Sequence, residues 1–350
     1  MISEILPFEY DLPEEKIALR PVRPYDSAKL LVSDKNSGEL RESSFRNIVE
    51  FLSSDDVLVF NNTKVIRARL FASINEGKKA VELLLVAKKD KNCWLCMAKP
   101  LKSLQDGTQI FISQKLGAQV MQRVSEQLIE IEFHSTAAES DQIIYQHAVM
   151  PIPPYIRKGR ADTQDLQDYQ SHFAEISGSI AAPTAGLHFT PELMRSIKAK
   201  GITVEFVTMH LGAASFRLLK DKSDKGIVRV PDEESYFYDK NFVERIFEFK
   251  KQSRRIIAVG TSVVRALESM ASREKTLQTR DNFVKTDLFI YPGYHFKLTD
   301  CLVTNFHLPG SSHLLLVQAL MGSKNLADAY DYALNNNFRF LSYGDGMLIY

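Results

Sequence analysis

The sequence has little cysteine, and this excludes most structures that depend on it. Its 350 residues include three cysteines, Cys93, Cys96 and Cys301. Cys93 and Cys96 have the spacing of a zinc knuckle, but a structural zinc needs four ligands and no second pair follows. Thiols half-buried in a strand are the favoured interpretation. So few cysteines also exclude a disulfide-stapled secreted scaffold and indicate a reduced, cytosolic protein.

Signals for export and for membrane insertion are also missing. Residues 1–21 carry acids where a signal peptide places lysines, and they contain no apolar core region. The apolar run at residues 314–317 is far too short to span a bilayer. We therefore expect a cytoplasmic protein without membrane contact.

Charge of one sign is not in excess, since 44 basic residues face 43 acidic ones. Proteins that wrap long nucleic acids usually carry a large positive excess, because phosphate neutralisation supplies much of the affinity. Any nucleic-acid partner must therefore be met by a local patch.

Several common catalytic motifs do not occur. The sequence lacks G-x-G-x-x-G, the Walker loop and G-x-S-x-G, which removes common dinucleotide, nucleotide-triphosphate and hydrolase interpretations. Its histidines show no H-E-x-x-H or similar spacing, so no metal site is predicted.

The pattern of apolar runs predicts two structural parts. Between residues 66 and 148, short runs separated by Gly, Asp, Asn and Lys predict closely spaced strands at residues 81–86, 93–98, 109–113 and 128–133. On either side, strands alternate with helices. We therefore predict an α/β body formed by residues 1–65 and 149–350, interrupted by a small all-β, barrel-like domain at residues 66–148.

Individual elements of the body carry local signals. Thr190 followed by Pro191 predicts a helix start, and Gly201 predicts its left-handed stop. Three prolines at residues 151–154 predict an extended hinge. Strands are predicted at residues 56–60, 203–209, 255–259, 287–291 and 301–305, and further helices at residues 261–271, 311–321 and 325–335.

The turn Gly260-Thr261-Ser262 joins a predicted strand directly to a helix. Free N–H groups at a helix start attract anions, and Arg265, one turn later, can pair with a carboxylate or phosphate. Glu268 lies on the same helical face. The alternative is a plain capped helix with an exposed Arg265–Glu268 ion pair.

Three histidines lie near strand ends or in loops that contain glycine or proline: His188, His210 and His307. Loops at the carboxyl ends of strands bind ligands in α/β proteins. Because histidine titrates near neutrality, each of the three is a candidate for proton transfer. A structural histidine is the alternative for each one taken singly.

Polar and basic residues suggest contacts with RNA. Asn61-Asn62-Thr63 ends a buried strand, and Arg67 follows it, so amides there fit a base edge and the arginine fits phosphate. A polar turn is the alternative. Residues 157–160 form a second basic cluster beside Tyr155, for which a solvated charge run is the preferred interpretation.

Together these segments resemble the S-adenosylmethionine:tRNA ribosyltransferase-isomerase family of queuosine biosynthesis. The resemblance runs nearly end to end, and its most specific motifs are A-P-T-A-G-L-H-F at residues 182–189 and T-N-F-H-L-P at residues 304–309. It implies transfer of the ribosyl group of S-adenosylmethionine to 7-aminomethyl-7-deazaguanine at the tRNA wobble position. The implied products are epoxyqueuosine, adenine and methionine.

The resemblance implies chemistry that uses no metal and no cofactor beyond S-adenosylmethionine as co-substrate. The sulfonium acidifies the adjacent C5′ hydrogens and leaves as a neutral thioether, so the protein supplies a base, an acid and alignment. It implies His188 or His307 in proton transfer, with His210 in reserve. It also implies Thr261, Ser262 and Arg265 at the methionine carboxylate. The substrate-binding residues expected in full are Asn61, Asn62, Thr63, Arg67, Pro183, Thr184, Gly186, Phe189, Gly260, Thr261, Ser262, Arg265, Glu268, Asn305, Tyr343 and Asp345.

The expected partners are tRNA and S-adenosylmethionine, and the expected assembly is a monomer. One stretch departs from the family pattern: members usually carry H-x-M-H-x-E, whereas residues 226–234 hold acids and no histidine. The G-A-G-T-F of the family also reads G-A-A-S-F at residues 212–216. One alternative is therefore a catalytically altered paralogue that binds tRNA. The other is an S-adenosylmethionine-dependent RNA methyltransferase, although Ile152-Pro153-Pro154-Tyr155 lacks the asparagine of the N-P-P-Y motif that such enzymes use.

Overall fold

The computed structural model describes residues 8–74, 77–134, 137–212, 233–272 and 283–350. Its contacts divide the chain into two compact units. The α/β unit comprises residues 1–64, 155–157 and 168–350, and the barrel unit comprises residues 65–154 and 158–167.

The described residues form strands and helices as follows. The strands are β1 (Lys29–Ser33), β2 (Leu40–Ser44), β3 (Val57–Asn61), β4 (Thr63–Val65), β5 (Arg69–Ile74), β6 (Lys79–Lys88), β7 (Cys93–Lys99), β8 (Gln109–Ser113), β9 (Leu116–Arg123), β10 (Leu128–Phe133), β11 (Ile176–Ser179), β12 (Thr203–His210), β13 (Glu234–Phe237), β14 (Ile256–Val259), β15 (Val284–Thr286), β16 (Cys301–Asn305) and β17 (Gly346–Ile349). The helices are α1 (Ala137–His147), α2 (Asp165–Asp168), α3 (Pro191–Ala199), α4 (Lys240–Lys251), α5 (Thr261–Ser272), α6 (Ser312–Met321) and α7 (Ser323–Asn335).

A nine-stranded mixed sheet runs through the α/β unit in the order β15-β13-β12-β3-β14-β16-β17-β1-β2. The four neighbours β12, β3, β14 and β16 are parallel, and β17 runs antiparallel to β16 but parallel to β1. The carboxyl ends of the four parallel strands therefore meet at one edge of the sheet. The start of β17 lies at the same edge, because Gly346 pairs with Asn305.

Apolar side chains cover both faces of this sheet. On β3, Val57 and Val59 face one core and Leu58 and Phe60 face the other, and all four are buried. Helices α5, α6 and α7 pack on the first face, and α3 packs on the second. Parallel strands buried on both faces are continuous apolar runs in sequence. This explains why residues 56–60 and 301–305 were identifiable as strands.

The local signals around α3 correspond to its observed ends. The Thr190 hydroxyl accepts the N–H of Leu193 at 3.1 Å, and Pro191 is the first helical residue. Gly201 adopts φ +81°, the left-handed conformation that ends a helix. The predicted N-cap and stop are thus confirmed.

The barrel unit contains a closed barrel of six antiparallel strands in the order β10-β7-β6-β5-β8-β9. Alternate residues fill its interior, as Val81, Leu83 and Leu85 do from β6. Cys93 and Cys96 both lie in β7, the first partly buried and the second fully buried. The barrel within an α/β protein confirms the predicted fold class.

Two features of the fold differ from expectation. The strand predicted at residues 287–291 is wrong: β15 ends at Thr286, because the Thr286 hydroxyl accepts the N–H of Leu288 and turns the chain out of the sheet. The barrel unit also includes helix α1 and extends past residue 148. Arg69 accounts for part of this extension, since it donates to the carbonyls of Ile152 and Gly159.

Among the described residues, no helix combines the length and the apolar character that crossing a membrane requires.

Gly344 occupies a position with no room for a side chain. A Cβ there would lie 2.4 Å from the carbonyl oxygen of Arg339 and 2.5 Å from the carbonyl carbon of Phe340. Because backbone atoms cannot turn aside as a side chain can, we expect Gly344→Ala to destabilise the protein by about 2 kcal/mol or more. The midpoint of urea unfolding measures this loss.

Gly293→Ala is the matched control. Gly293 has open space around it and a φ of +97°, so its substitution costs only the conformational term of roughly 1 kcal/mol. Equal losses in the two variants would show that the close backbone approach at Gly344 has no energetic effect.

Candidate functional site

A cleft opens in the α/β unit at the carboxyl edge of the parallel strands. It encloses about 880 Å³ of empty space, including the part open to solvent. Its walls come from residues 181–185, from the turns after β14 and β16, and from Glu234 at the start of β13.

The sheet order explains why the cleft lies here. After β3, the next strand of this sheet along the chain is β12, which lies beside β3 on one side. After β14, the next parallel strand along the chain is β16, which lies on the opposite side. Open α/β sheets bind ligands where neighbouring strands continue in opposite directions. The cleft therefore lies at the position that the topology favours.

The turn at Gly260 brings the start of α5 to the cleft. Gly260 has a φ of +99°, which favours glycine, and its N–H donates to the carbonyl of Val303 at 2.8 Å. Thr261 and Ser262 follow at once and line the cleft. The first N–H groups of a helix have no partner within the helix and lie at its positive end. The cleft thus has a wall that can accept an anion, and the predicted contact of these residues with a carboxylate stays a prediction.

Arg265 lines the same wall and is held from two sides. Its Nε donates to the carbonyl of Leu288 at 3.1 Å, and its Nη1 pairs with the Glu234 carboxylate. Glu234 also accepts the N–H of Gly212 at 3.2 Å. Burial lowers the pKa of Arg265 to about 10, and the nearby charge of Asp287 opposes this effect.

The Arg265 Nη2 atom is buried and makes no hydrogen bond within the described part of the chain. A buried donor of this kind is costly until an acceptor reaches it. Because Arg265 is one of the residues that line the cleft, an acceptor bound there is the candidate partner for this group.

Glu268 has a different role from the one expected. It is fully buried and accepts hydrogen bonds from the Tyr294 hydroxyl and from the N–H groups of Lys297, Leu298 and Thr299, at 2.8 to 3.2 Å. The exposed ion pair with Arg265 is wrong, because Arg265 pairs with Glu234 instead. Glu268 anchors a loop, and its oxygens are occupied by these four donors.

Asn61 links three elements at the strand edge. Its Nδ2 donates to the Met209 carbonyl at 2.9 Å and to the Ser262 hydroxyl at 3.2 Å. Its Oδ1 accepts the N–H groups of Thr63 and Met209, each at 3.0 Å. All four hydrogen-bonding positions of the amide are engaged inside the protein, which favours a positioning role over direct contact with a base.

The neighbours of Asn61 are also engaged. Asn62 donates to Glu175 at 3.2 Å and accepts the Thr208 hydroxyl at 2.6 Å. The Thr63 hydroxyl lies 2.7 Å from Nδ1 of His210. Their roles as substrate contacts stay predictions.

His210 is not among the residues that line the cleft. Its ring stacks on Phe283 with centroids 4.5 Å apart, and burial lowers its pKa to about 4. Arg67 belongs to the barrel unit, where it donates to the Tyr145 carbonyl at 3.0 Å and lies over the Tyr145 ring. The predicted roles of His210 in proton transfer and of Arg67 in phosphate binding stay untested.

The A-P-T-A-G-L-H-F motif forms one wall of the cleft and part of the core behind it. Pro183 and Thr184 line the cleft, and the Thr184 hydroxyl donates to Asn305 at 2.8 Å. Gly186 instead packs against Ser171, and Phe189 is buried edge-on against Phe60. The motif therefore combines contact residues with packing residues.

His188 lies behind Asn305 rather than in the main cleft. Its Nε2 is 3.3 Å from the Asn305 amide nitrogen, and its Nδ1 is 3.5 Å from the Tyr25 carbonyl. The ring stacks on Phe45 with centroids 4.0 Å apart. Burial, followed by the charge of Arg339, lowers its pKa to about 4. His188 lines a smaller depression of about 190 Å³.

His307 does line the main cleft. Its Nε2 lies 2.7 Å from the Thr304 hydroxyl, and its backbone N–H donates to the Tyr330 hydroxyl at 2.9 Å. Burial is the main reason that its pKa lies well below the usual value. Of the three histidines predicted for proton transfer, His307 is the one that lines the cleft.

The segment near residue 345 lies outside the main cleft and contacts Asn305, which lines it. Asp345 accepts the N–H groups of Lys29 at 2.9 Å and of Arg339 at 2.7 Å, while its carbonyl accepts from Asn305 at 3.4 Å. Tyr343 lines the smaller depression and packs edge-on against Tyr169. Neither residue lines the main cleft.

Reasoning from the sequence missed several residues of the cleft. Glu234 and His313 carry ionisable side chains there, and the Tyr155 and Ser342 hydroxyls lie 2.8 Å apart in its wall. The prediction considered loops that follow strands. Glu234 begins a strand and His313 lies inside a helix, so neither was identified. Of the stretch where family histidines were expected, residues 226–232 lie outside the described residues.

No group of His, Cys, Asp and Glu side chains in the described ranges could hold a metal ion.

Comparisons with known proteins identify the family. The model of a family described as queuosine biosynthesis protein matches residues 5–349. Proteins named S-adenosylmethionine:tRNA ribosyltransferase-isomerase from Thermotoga petrophila and Thermotoga maritima are each 39% identical over 344 residues, which cover 98% of both chains.

A solved structure is also similar, the crystal structure of S-adenosylmethionine tRNA ribosyltransferase from Thermotoga maritima. The TM-score is 0.56 and the identity is 34%, with 98% of this chain and 99% of that chain covered. The chain belongs to the queuosine biosynthesis protein family. The family predicted from the sequence is thereby confirmed.

The buried ring of His188 predicts a pH dependence of stability. Its pKa in the folded protein is about 4, below the roughly 6.5 of an exposed histidine, so the unfolded chain binds the proton more tightly. Its contribution to stability is therefore complete above about pH 6.5 and is lost as the pH falls toward 4. Between pH 7 and pH 5 we expect a loss of roughly 1–2 kcal/mol from this group.

Urea unfolding of the wild type and of His188→Asn at the two pH values measures this contribution. The variant should lose less stability between pH 7 and pH 5, whatever its absolute stability. His172→Asn, which replaces an exposed ring, should retain the wild-type difference. An unchanged pH difference in His188→Asn would show that His188 is not buried in its neutral form.

Proposed function

We propose that the cleft of the α/β unit is the catalytic site of this chain, and that the sugar of S-adenosylmethionine reacts there. The chain is an S-adenosylmethionine:tRNA ribosyltransferase-isomerase of queuosine biosynthesis, as its sequence predicted and its relatives confirm. It moves the ribosyl group of S-adenosylmethionine onto 7-aminomethyl-7-deazaguanine at the tRNA wobble position. The products are epoxyqueuosine, adenine and methionine.

The main support for a catalytic site in this cleft is the wall that can accept an anion. The start of α5 and Arg265 both line this cleft, and the Nη2 atom of Arg265 is buried without a hydrogen-bond partner in the described part of the chain. A helix start and a guanidinium both suit a carboxylate. S-adenosylmethionine has one carboxylate, at its methionine end. We assign that carboxylate to Thr261, Ser262 and Arg265.

The assignment orients the rest of the donor. With the carboxylate at α5, the sulfonium and the ribose extend along the wall formed by Thr184, Asn305 and His307. The sulfonium makes its own C5′ hydrogens acidic and leaves as a neutral thioether. The protein therefore supplies hydrogen bonds and proton transfer, and the donor supplies the activation.

His188 and His210 keep their predicted roles in proton transfer only as a weaker part of the proposal. The ring nitrogens of His188 lie close to Asn305 and Tyr25, and one ring nitrogen of His210 lies close to Thr63. The pKa of each histidine is lowered to about 4. These contacts fit positioning of the cleft residues as well as they fit chemistry.

S-adenosylmethionine is the co-substrate of this family, and we propose that the reaction uses no further cofactor. The cleft offers hydroxyls, amides, imidazoles and a guanidinium, which suit hydrogen bonding and proton transfer. We also propose that the chain acts as a monomer in the cytoplasm, where tRNA is modified.

Product analysis tests the activity. Purified protein incubated with S-adenosylmethionine and tRNA that carries 7-aminomethyl-7-deazaguanine should release adenine and methionine in equal amounts. Chromatography of the small products measures both. S-adenosylhomocysteine in their place would identify a methyltransferase. Tight tRNA binding without adenine release would identify a paralogue that has lost the chemistry.

Arg265→Lys tests the carboxylate site. Lysine keeps the charge but loses the planar fork that binds Leu288, Glu234 and a carboxylate together. We expect the KM for S-adenosylmethionine to rise about 10- to 100-fold, with a smaller effect on kcat, because the contact is remote from the reacting carbon. Steady-state adenine release at varied donor concentration measures both constants.

Arg245→Lys is the matched control. Arg245 forms a bidentate ion pair with Glu205 at 2.7 and 2.8 Å, on α4 and away from the cleft. Its substitution should leave the KM unchanged. A KM in Arg265→Lys equal to that of the control would place the donor carboxylate elsewhere.

A further inference from the structure

His313 is a histidine of the cleft that lies inside a helix rather than in a loop after a strand. It is in the first turn of α6, two residues after the N-cap Ser311, whose hydroxyl accepts the N–H of Leu314 at 3.3 Å. Ser311 and His313 both line the cleft. The helix start fixes the position of the imidazole, since the backbone around it is held by the cap.

His307 packs against His313 and is itself held in place. The two rings are nearly parallel, with an interplanar angle of 20° and centroids 5.3 Å apart. The Thr304 hydroxyl engages Nε2 of His307, and the Tyr10 hydroxyl donates to its carbonyl. His307 therefore presents a fixed face on which the ring of His313 rests.

The ring nitrogens of His313 differ from those of the other site histidines. In His188, His210 and His307, at least one ring nitrogen lies within hydrogen-bond distance of a neighbouring side chain. Across the part of the chain that the structure describes, no hydrogen bond engages the ring of His313. Its nitrogens are therefore available to a molecule in the cleft.

The surroundings of His313 favour its neutral form. Burial and, next, the positive charge of Arg265 lower its pKa to about 4. The positive end of α6 acts in the same direction. A carboxylate bound to Arg265 offsets the guanidinium charge, while the sulfonium and ammonium groups of the donor add positive charge of their own. The group that holds the donor is thus electrostatically coupled to the imidazole.

We propose that His313 is a catalytic residue that carries the proton in this reaction, with His307 as its positioning residue. This inference rests on the proposed function. A neutral ring nitrogen of His313 takes a C5′ proton of S-adenosylmethionine, and the C–H electron pair stays on the carbon beside the sulfonium. The C5′ pair then forms a C4′=C5′ bond as the C4′–O bond breaks, and the ring oxygen forms a C1′ carbonyl as the glycosidic pair moves to the adenine nitrogen. The imidazolium gives its proton to that nitrogen. Adenine leaves neutral, and His313 returns to its neutral form.

His313→Gln is the first test, because glutamine keeps a polar group but cannot act as a base. We expect kcat for adenine release to fall at least about 100-fold, as when a general acid–base group is removed. The KM for S-adenosylmethionine should change by no more than about threefold, since uniform binding is retained. A variant with full turnover would overturn the assignment.

Rescue of His313→Ala separates proton transfer from packing. Imidazole added to this variant should restore part of the adenine release, whereas pyrazole, which has the same ring shape but is a far weaker base, should not. Equal rescue by the two compounds would show that the ring only fills space, and it would overturn the proposal. Calorimetric binding of S-adenosylmethionine to each variant checks that the cleft is intact.

His295→Gln is the control variant. His295 is an exposed histidine of the same unit, and its substitution should leave kcat and KM unchanged. The wild type separates the two proposals. If the wild type releases no adenine, the proposed function fails. If the wild type is active and His313→Gln is equally active, only the role of His313 fails.

Discussion

The side-chain amide of Asn61 is the contact on which the cleft depends. It joins the end of β3 to the backbone of β12 through Met209 and to the start of α5 through Ser262. These elements are far apart in sequence, and apolar packing alone does not set their register to within a fraction of an ångström. A buried amide with all four positions satisfied does so, because any shift leaves a polar atom without a partner.

A second constraint is electrostatic. Arg265 and Glu234 face each other in the wall of the cleft, where a single buried charge would be costly. The pair neutralises most of that charge and holds the guanidinium between β13 and the Leu288 carbonyl. The fork is therefore in place before a ligand arrives, which reduces the entropy lost on binding. His313 lies within the influence of this arrangement, so the binding and the proton-transfer groups share one local field.

Much of the fold was predictable because its signals are local. Buried parallel strands are continuous apolar runs, and α3 carries its cap and stop in Thr190 and Gly201. The site was predictable only in part. Topology assigns loops such as residues 260–262 to the ligand edge, but it does not determine which polar atoms are consumed inside the protein. Asn61 and Glu268 were thus expected to contact substrate although neighbours occupy their polar atoms, while His313 was overlooked because it lies within a helix.

The position of β17 between β16 and β1 has a consequence for biosynthesis. Leu30 of β1 pairs with Gly346 of β17, so β1 has no sheet neighbour except β2 until residues 346–349 have left the ribosome. The parallel strands can assemble first, but the last third of the sheet closes only after translation of residue 349. During that interval the hairpin of β1 and β2 exposes Leu31 and Val32, and it is a natural client for a chaperone.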